Sequence, residues 1–302
     1  MFKTIMISII LTTISFAMDY NLKPVHISQN VWQFVGNNNV ITKENGGNIA
    51  NTYWIKTPKS WIVVDTGPTY DYAKQAHEKM KKIADLPIKF IINTHKHDDH
   101  WVGNAYFKSL NVKIYATKLQ DEEDDSKDTN RIFNILHKED LHKTELVKID
   151  EFITKDQNMN IDGVELQFIL LPYSGHTKED MMIFVPSEKV LFAGDLLFSE
   201  RITSIRDGSV EGSLKSLELI KSLNPKVFAN GHGKFTDETA LKDMHKYLTM
   251  LKESSLKAIA DGQGIDEFAK EAEFEEFKSY KLYDIIHKEN LYTAYKEYEF
   301  YE

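Results

Sequence analysis

Thr94-His95-Lys96-His97-Asp98-Asp99-His100 is the stretch on which the reading of this chain turns. It sets imidazoles at i, i+2 and i+5 and a carboxylate at i+4, directly after an apolar run at residues 89–93 that reads as a buried strand. Alternate residues on a tight loop direct His95 and His97 at one ion. Asp99 and His100 then turn toward a neighbouring ion. Imidazole and carboxylate ligands suit Zn2+, Fe2+ or Mn2+.

Three later residues stand where further ligands are expected. His176 lies in Ser174-Gly175-His176-Thr177, after a strand over 164–171. Asp195 ends an apolar strand over 190–193, and His232 sits between Gly231 and Gly233 after a strand over 227–229. Each is a His or Asp at the C-terminal end of a strand, and two lie beside glycines that let backbone and ligand approach closely. Asp65 ends the strand 61–64 in the same manner.

On these motifs the sequence resembles the metallo-β-lactamase-fold hydrolase superfamily, over roughly residues 25–240. The resemblance implies an α/β (α+β) protein, a four-layer αββα sandwich with the metals at one edge between two sheets. It implies that His95, His97 and His176 hold one metal, that Asp99, His100 and His232 hold the second, and that Asp195 bridges both. Asp65 matches the family's strand-end Asp, which orients the histidine loop. β-Lactamases proper usually carry Cys or Ser where this chain has Asp195, so the ligand set is closer to the glyoxalase II, lactonase and esterase branches. A weaker resemblance links residues 44–51 (Glu-Asn-Gly-Gly-Asn-Ile-Ala-Asn) and Arg201-Ile202-Thr203-Ser204 to exported zinc metallohydrolases of quinoprotein-relay and sulfur-oxidation systems.

The composition of the 302 residues agrees with a folded enzyme. Hydrophobic residues make up 42% and charged residues 27%, near the globular average. The absence of cysteine excludes disulfides, thiol nucleophiles and thiolate metal ligands, so any metal site is imidazole and carboxylate. A net charge of −9 disfavours nucleic acid as a partner.

Residues 1–17 read as a cleaved signal peptide. Lys3 is the basic n-region, residues 4–16 the apolar h-region, and Ser15 and Ala17 the small residues before a cut at Met18. The stretch is short for a membrane span, so the mature chain is expected to be periplasmic or secreted, without stable membrane insertion. Further strands are expected at 31–35, 49–55, 112–116 and 181–185. Helices are expected at 70–84, 101–108 and 212–223, in much of 117–143, and from 236 to the end. The expected organisation is a catalytic domain over 18–240, with C-terminal helices over 241–302 packed on it. Six acids among residues 121–128 read as a solvated face.

The expected reaction is attack by a metal-bridging hydroxide on an ester, thioester or lactam carbonyl of a small molecule, with two Zn2+ ions as cofactor and Asp99 orienting the nucleophile. Two alternatives stay open: a mononuclear non-haem iron enzyme of the persulfide dioxygenase type, and a non-catalytic metal-binding accessory protein. Arg201 and Arg206 are candidates for an anion clamp and Tyr173 for an oxyanion donor. The polar loop 36–47 is a candidate flap. Tyr292, Tyr295 and Tyr298 recur at near-helical spacing, which fits packing.

Overall fold

The computed structural model describes residues 18–118, 120, 131–234 and 237–300. Residues 1–17, read as a signal peptide, and the acidic cluster at 121–128 lie outside the described residues. Among these residues the strands form two mixed sheets. The first, in chain order across the sheet, contains β1 (Val25–Ser28), β2 (Val31–Phe34), β3 (Thr52–Lys56), β4 (Trp61–Val64), β5 (Ile88–Ile92), β6 (Lys113–Ala116) and β7 (Glu151–Phe152). Pairing is antiparallel from β1 to β4 and parallel from β4 onward. The second sheet runs β12-β11-β10-β9-β8, built from β8 (Gln157–Ile161), β9 (Val164–Leu170), β10 (Met181–Val185), β11 (Val190–Phe198) and β12 (Val227–His232). Only the β11–β12 pair in it is parallel.

Strand alternation explains the layers. In β4, Ile62 and Val64 point between the sheets, where they meet Phe168, Ile183 and Phe192. Trp61 and Val63 point outward, beneath Tyr72, Ala76 and Met80 of α1 (Tyr70–Lys81) and Phe107 of α3 (Asn104–Ser109). With both faces covered, β4 is buried along its whole length, as expected for a strand inside a layered α/β fold. The outer face of the second sheet carries Met182, Phe184 and Leu191. It packs against α5 (Val210–Ser222), α6 (Glu238–Ala260) and α8 (Tyr283–Glu299) in one continuous cluster. This is the αββα arrangement with a C-terminal helical extension. The extension also contains α7 (Ile265–Glu271). Three helix starts are capped as their sequences specify. Thr69, Ser209 and Asp237 each accept a backbone N–H from the first turn of α1, α5 and α6. Tyr295 and Tyr298 are buried in that packing.

Several expectations need correction. The run 49–55 is not all strand: β3 begins at Thr52, and Ile49 and Ala50, although buried, lie in the preceding turn. Their apolar character comes from packing, not from strand pairing. The strand read as 190–193 continues to Phe198, because Gly194 at φ 52° bends it without ending it. β1, β7 and β8 were not anticipated. β7 is two exposed residues, and β8 (Gln-Asn-Met-Asn-Ile) is rich in residues of low β propensity. Within 131–143 the helix α4 (Arg131–Ile135) stops far short of the expected run. Among the described residues no helix is long and apolar enough to cross a membrane.

Candidate metal centre

The site lies where strand ends from both sheets converge. After β5, the histidine loop leads into α2 (Asp98–Trp101), a single turn carrying Asp99 and His100. The register of β11 against β12 breaks around Gly194, and this irregularity turns Asp195 into the site from mid-strand. His232 is the last residue of β12. His176 sits in a turn fixed by Asp180, which accepts hydrogen bonds from the Thr177 backbone N–H and hydroxyl, both at 2.9 Å.

All seven candidate ligands are buried and fall into two adjoining groups: His95, His97, His176 and Asp195, then Asp99, His100 and His232. In the first group, His97 Nδ1 lies 3.2 Å from His95 Nε2 and 2.9 Å from His176 Nε2. His176 Nε2 is 3.3 Å from Asp195 Oδ2. In the second, Asp99 Oδ2 is 3.8 Å from His100 Nε2 and 3.5 Å from His232 Nε2. Asp195 touches both groups, with Oδ1 3.1 Å from His100 Nε2 and Oδ2 3.1 Å from His232 Nε2.

The donor set fits metal ions. His100 Nε2 and Asp195 Oδ1 are fully buried and close together, yet neither has a hydrogen-bond partner of acceptable geometry. Buried polar atoms are rarely left this way unless a further partner belongs between them. Room for that carboxylate is made by Gly231, where a Cβ would lie 1.8 Å from Asp195 Oδ1. The electrostatics agree. Burial holds His95 well below the ordinary histidine value and brings His97 down to about 3, so both are neutral ligands at physiological pH. Burial opposes charge on Asp195 too, but His232, His100 and His176 hold its carboxyl well below the usual range. His100 is also buried, yet Asp195, Asp65 and Asp99 around it push its pKa well up. Three carboxylates facing one imidazole make a pocket that favours cations.

Each imidazole is held by a second contact on its far nitrogen. Asp65 Oδ2 receives His100 Nδ1 at 2.8 Å and the Thr94 hydroxyl at 2.8 Å, while Thr94 Oγ1 lies 3.0 Å from His95 Nδ1. One carboxylate therefore orients two ligands, from a residue at φ 57° at the end of β4. His97 Nε2 meets Asp207 Oδ2 at 2.9 Å. His176 Nδ1 meets the Ser204 carbonyl at 3.1 Å, and His232 Nδ1 meets the Ile49 carbonyl at 2.8 Å. These contacts select the nitrogen that each ring presents to a metal.

Four supporting residues were not singled out from the sequence. Asp207 lies outside every motif quoted from the sequence, and its partner His97 is 110 residues away. Arg131 forms ion pairs with Asp98 at 2.6 Å and Asp99 at 2.5 Å, so Asp99 keeps one oxygen for the metal side. Asn51 donates to the Asn230 and Gly233 carbonyls at 2.9 and 2.6 Å, stitching the 44–51 motif to the His232 turn. Asn290 of α8 receives the Ile205 N–H at 3.1 Å and donates to the Thr203 carbonyl at 2.7 Å, gripping both neighbours of Ser204. The Gly-Gly-Asn run at 46–48 was a signal for Asn51; the others are reached only through long-range folding.

A cavity of about 270 Å3 opens over the centre, bordered by His97, Asp99, Asp195, Arg201, Arg206 and residues 39–41 of the candidate flap. Arg201 is a half-buried cation: its Nη1 is 3.2 Å from His232 Nδ1, its guanidinium carbon lies 5.4 Å from the centre of the Phe198 ring, and its Nε has no hydrogen-bond partner among the described residues. Arg206 is committed to Asp207 at 2.7 Å. Tyr173 is not brought to the site. It packs at the edge of the helical core with Lys215 over its ring, because the His176 turn faces it away from the cavity.

Residues 45–232 match the family model of the metallo-β-lactamase superfamily. The chain belongs to that superfamily. Among curated members it is 26% identical over 199 residues to a metallo-β-lactamase type 2 of Elizabethkingia meningoseptica, covering 64% of this chain and 72% of the relative. It is 33% identical over 181 residues to a hydroxyacylglutathione hydrolase of Prochlorococcus marinus, covering 57% and 60%. The superfamily fold is also that of a metallo-β-lactamase from Pontibacter korlensis, with a TM-score of 0.60 at 19% identity over 76% of this chain and 99% of that one. The family match ends at His232, so the superfamily model does not extend over α6, α7 and α8.

Proposed function

We propose that this metal-dependent hydrolase of the metallo-β-lactamase superfamily is an exported dinuclear zinc enzyme that cleaves an ester, thioester or lactam of a small molecule. The observation that carries the reading is Asp195, a buried member of the first ligand group that also reaches His100 and His232 of the second, with one oxygen lacking a hydrogen bond. Divalent cations held by His95, His97, His176 and Asp195 and by Asp99, His100 and His232 would lower the pKa of a water towards about 7 and so supply hydroxide at neutral pH. The chain's own residues prepare the site for that chemistry. Asp65, Asp207, Ser204 and Ile49 fix the imidazoles. Arg131 fixes Asp99 so that its free oxygen can hold the attacking water in line. Arg201 offers a half-buried positive charge at the cavity wall to an anionic group of the substrate. The relatives supply thioester and lactam chemistry as candidates, and residues 1–17 support export.

Metal quantification on protein purified without added metal, coupled to a hydrolysis screen that includes nitrocefin and S-lactoylglutathione, tests the reading. Two equivalents of zinc with turnover of at least one substrate class is the expected result. One equivalent of iron with oxygen uptake on glutathione persulfide overturns it. Full metal loading with no hydrolysis across the panel overturns it as well. N-terminal sequencing of protein recovered from outside the cytoplasm is expected to begin at Met18.

A further inference from the structure

The cavity over the metal centre has a wall that the family match does not include. Leu282, Ile285 and Ile286, at the start of α8, border it, as do Val40 and Ile41. Ile285 is 58% exposed and Val40 38% exposed. A single exposed aliphatic side chain needs no explanation. Here two of the chain's exposed large aliphatics border the same cavity as the candidate ligands. The backbone places this wall deliberately. Arg201 and Lys281 form a parallel bridge, with the Ile202 N–H donating to the Lys281 carbonyl at 3.0 Å and the Lys281 N–H to the Glu200 carbonyl at 3.1 Å. The next residue, Leu282, sits at φ 64°, a left-handed conformation that a bulky side chain adopts only when its surroundings compel it. That conformation brings the α8 start to the cavity edge. Charge is arranged to match. Arg201 lies by His232, whereas the rim of α8 carries Glu289, one turn beyond Ile285 and Ile286. An anionic group is drawn to Arg201 and turned away from α8, which leaves the α8 side to an uncharged group.

We infer that the site takes acyl compounds bearing an apolar arm, which lies along Leu282, Ile285 and Ile286 while the carbonyl sits at the metal pair. Leu282, Ile285 and Ile286 are thus specificity-determining residues supplied by the C-terminal extension. The inference rests on the hydrolase reading for its carbonyl end, but not for its apolar end. A cavity of about 270 Å3 has room for several methylenes beyond the carbonyl.

The test compares chain lengths in the wild type, Ile285→Ser and, as a control on α6, Leu256→Ser. Leu256 is also exposed but lies away from the cavity. p-Nitrophenyl octanoate against acetate probes an arm on the acyl side. S-hexyl against S-methyl thioacetate probes an arm on the leaving-group side. On at least one side, kcat/KM for the long member is expected to exceed the short one by tenfold or more. Ile285→Ser should reduce that ratio at least threefold, with Leu256→Ser retaining it. A second readout needs no turnover: calorimetric binding of octanohydroxamate against acetohydroxamate to the metal-loaded protein. A wild-type preference of tenfold or more that Ile285→Ser diminishes supports the inference even if no ester is cleaved, an outcome that counts against the hydrolase reading alone. Equal binding of the two hydroxamates together with equal rates for long and short substrates overturns the inference, as does a preference that Ile285→Ser leaves intact.

Discussion

The floor and the outer wall of the pocket are built on opposite principles. On the floor, every candidate metal ligand is buried, and each of the five imidazoles has a polar contact on its second nitrogen. On the outer wall, Val40 and Ile285 are exposed aliphatics whose side chains have no polar contact to make. The floor must hold ring nitrogens to within a fraction of an ångström, and only directional bonds do that. The wall needs shape and apolar area, which non-directional packing supplies and which tolerates exchange. A family can therefore keep one chemistry while its members change what they act on.

That contrast can be broken most severely at Asp195. Asp195→Ala removes the one carboxylate shared by both ligand groups. It is expected to abolish binding of at least one ion and to lower kcat about a thousandfold or more, read by metal analysis and steady-state kinetics. One shell outward, Asp65→Asn and Asp207→Asn should each cost about 10–100-fold in metal affinity by competition with a chelator. If either variant binds metal as tightly as the wild type, the claim that the floor depends on directional support fails. Asn290→Ala tests whether that support reaches the C-terminal extension. It leaves the Ile205 N–H without its partner, at a cost of about 1–3 kcal/mol. The lower thermal midpoint should come with weaker metal binding, because Ser204 then holds His176 less firmly.

A smaller effect depends on pH. His287 of α8 is packed against Tyr283 and bonded to Tyr247 at 2.9 Å, and burial brings it down to about 4 from an ordinary value of 6.5. A folded-state value below the unfolded one means that the unfolded chain takes up the proton first as pH falls. Stability contributed by the neutral ring is present above about pH 6.5 and is lost progressively as pH falls towards 4. His287→Gln should flatten the fall of thermal midpoint across that window while leaving the value at pH 8 little changed. An equally steep fall in the variant assigns the acid sensitivity elsewhere. The smallest effect belongs to the wall: Val40→Ser is expected to change stability by less than about 0.5 kcal/mol, the usual range for an exposed site, in denaturant titration.

The floor was legible in the sequence to a degree that the wall was not. His95, His97, Asp99, His100, His176, Asp195 and His232 each follow or interrupt a short apolar strand, and that placement is a local pattern. Asp65 was legible for the same reason. Arg131, Asp207 and Asn290 were not, because their partners lie 33, 110 and 85 residues away and no local motif marks them. Strand β4 showed itself as a continuous apolar run and β5 through the apolar stretch Phe90–Ile92. β8 did not, since only its inward side needs apolar residues and its partner strand supplies the rest of the pairing. The wall is hardest to read of all. Ile285 and Ile286 look like any helix positions until the Arg201–Lys281 bridge sets the start of α8 over the cavity.

Gly231 carries one more consequence. The space beside it is already filled by a carboxylate oxygen of Asp195, so the place of the shared ligand is defined by a hydrogen atom on another strand. A single methyl group introduced there, as in Gly231→Ala, pushes that oxygen aside while every ligand remains in the sequence. In the proposed two-ion centre, nuclearity can thus be changed by a residue that binds no metal, and an intact ligand motif alone does not guarantee it.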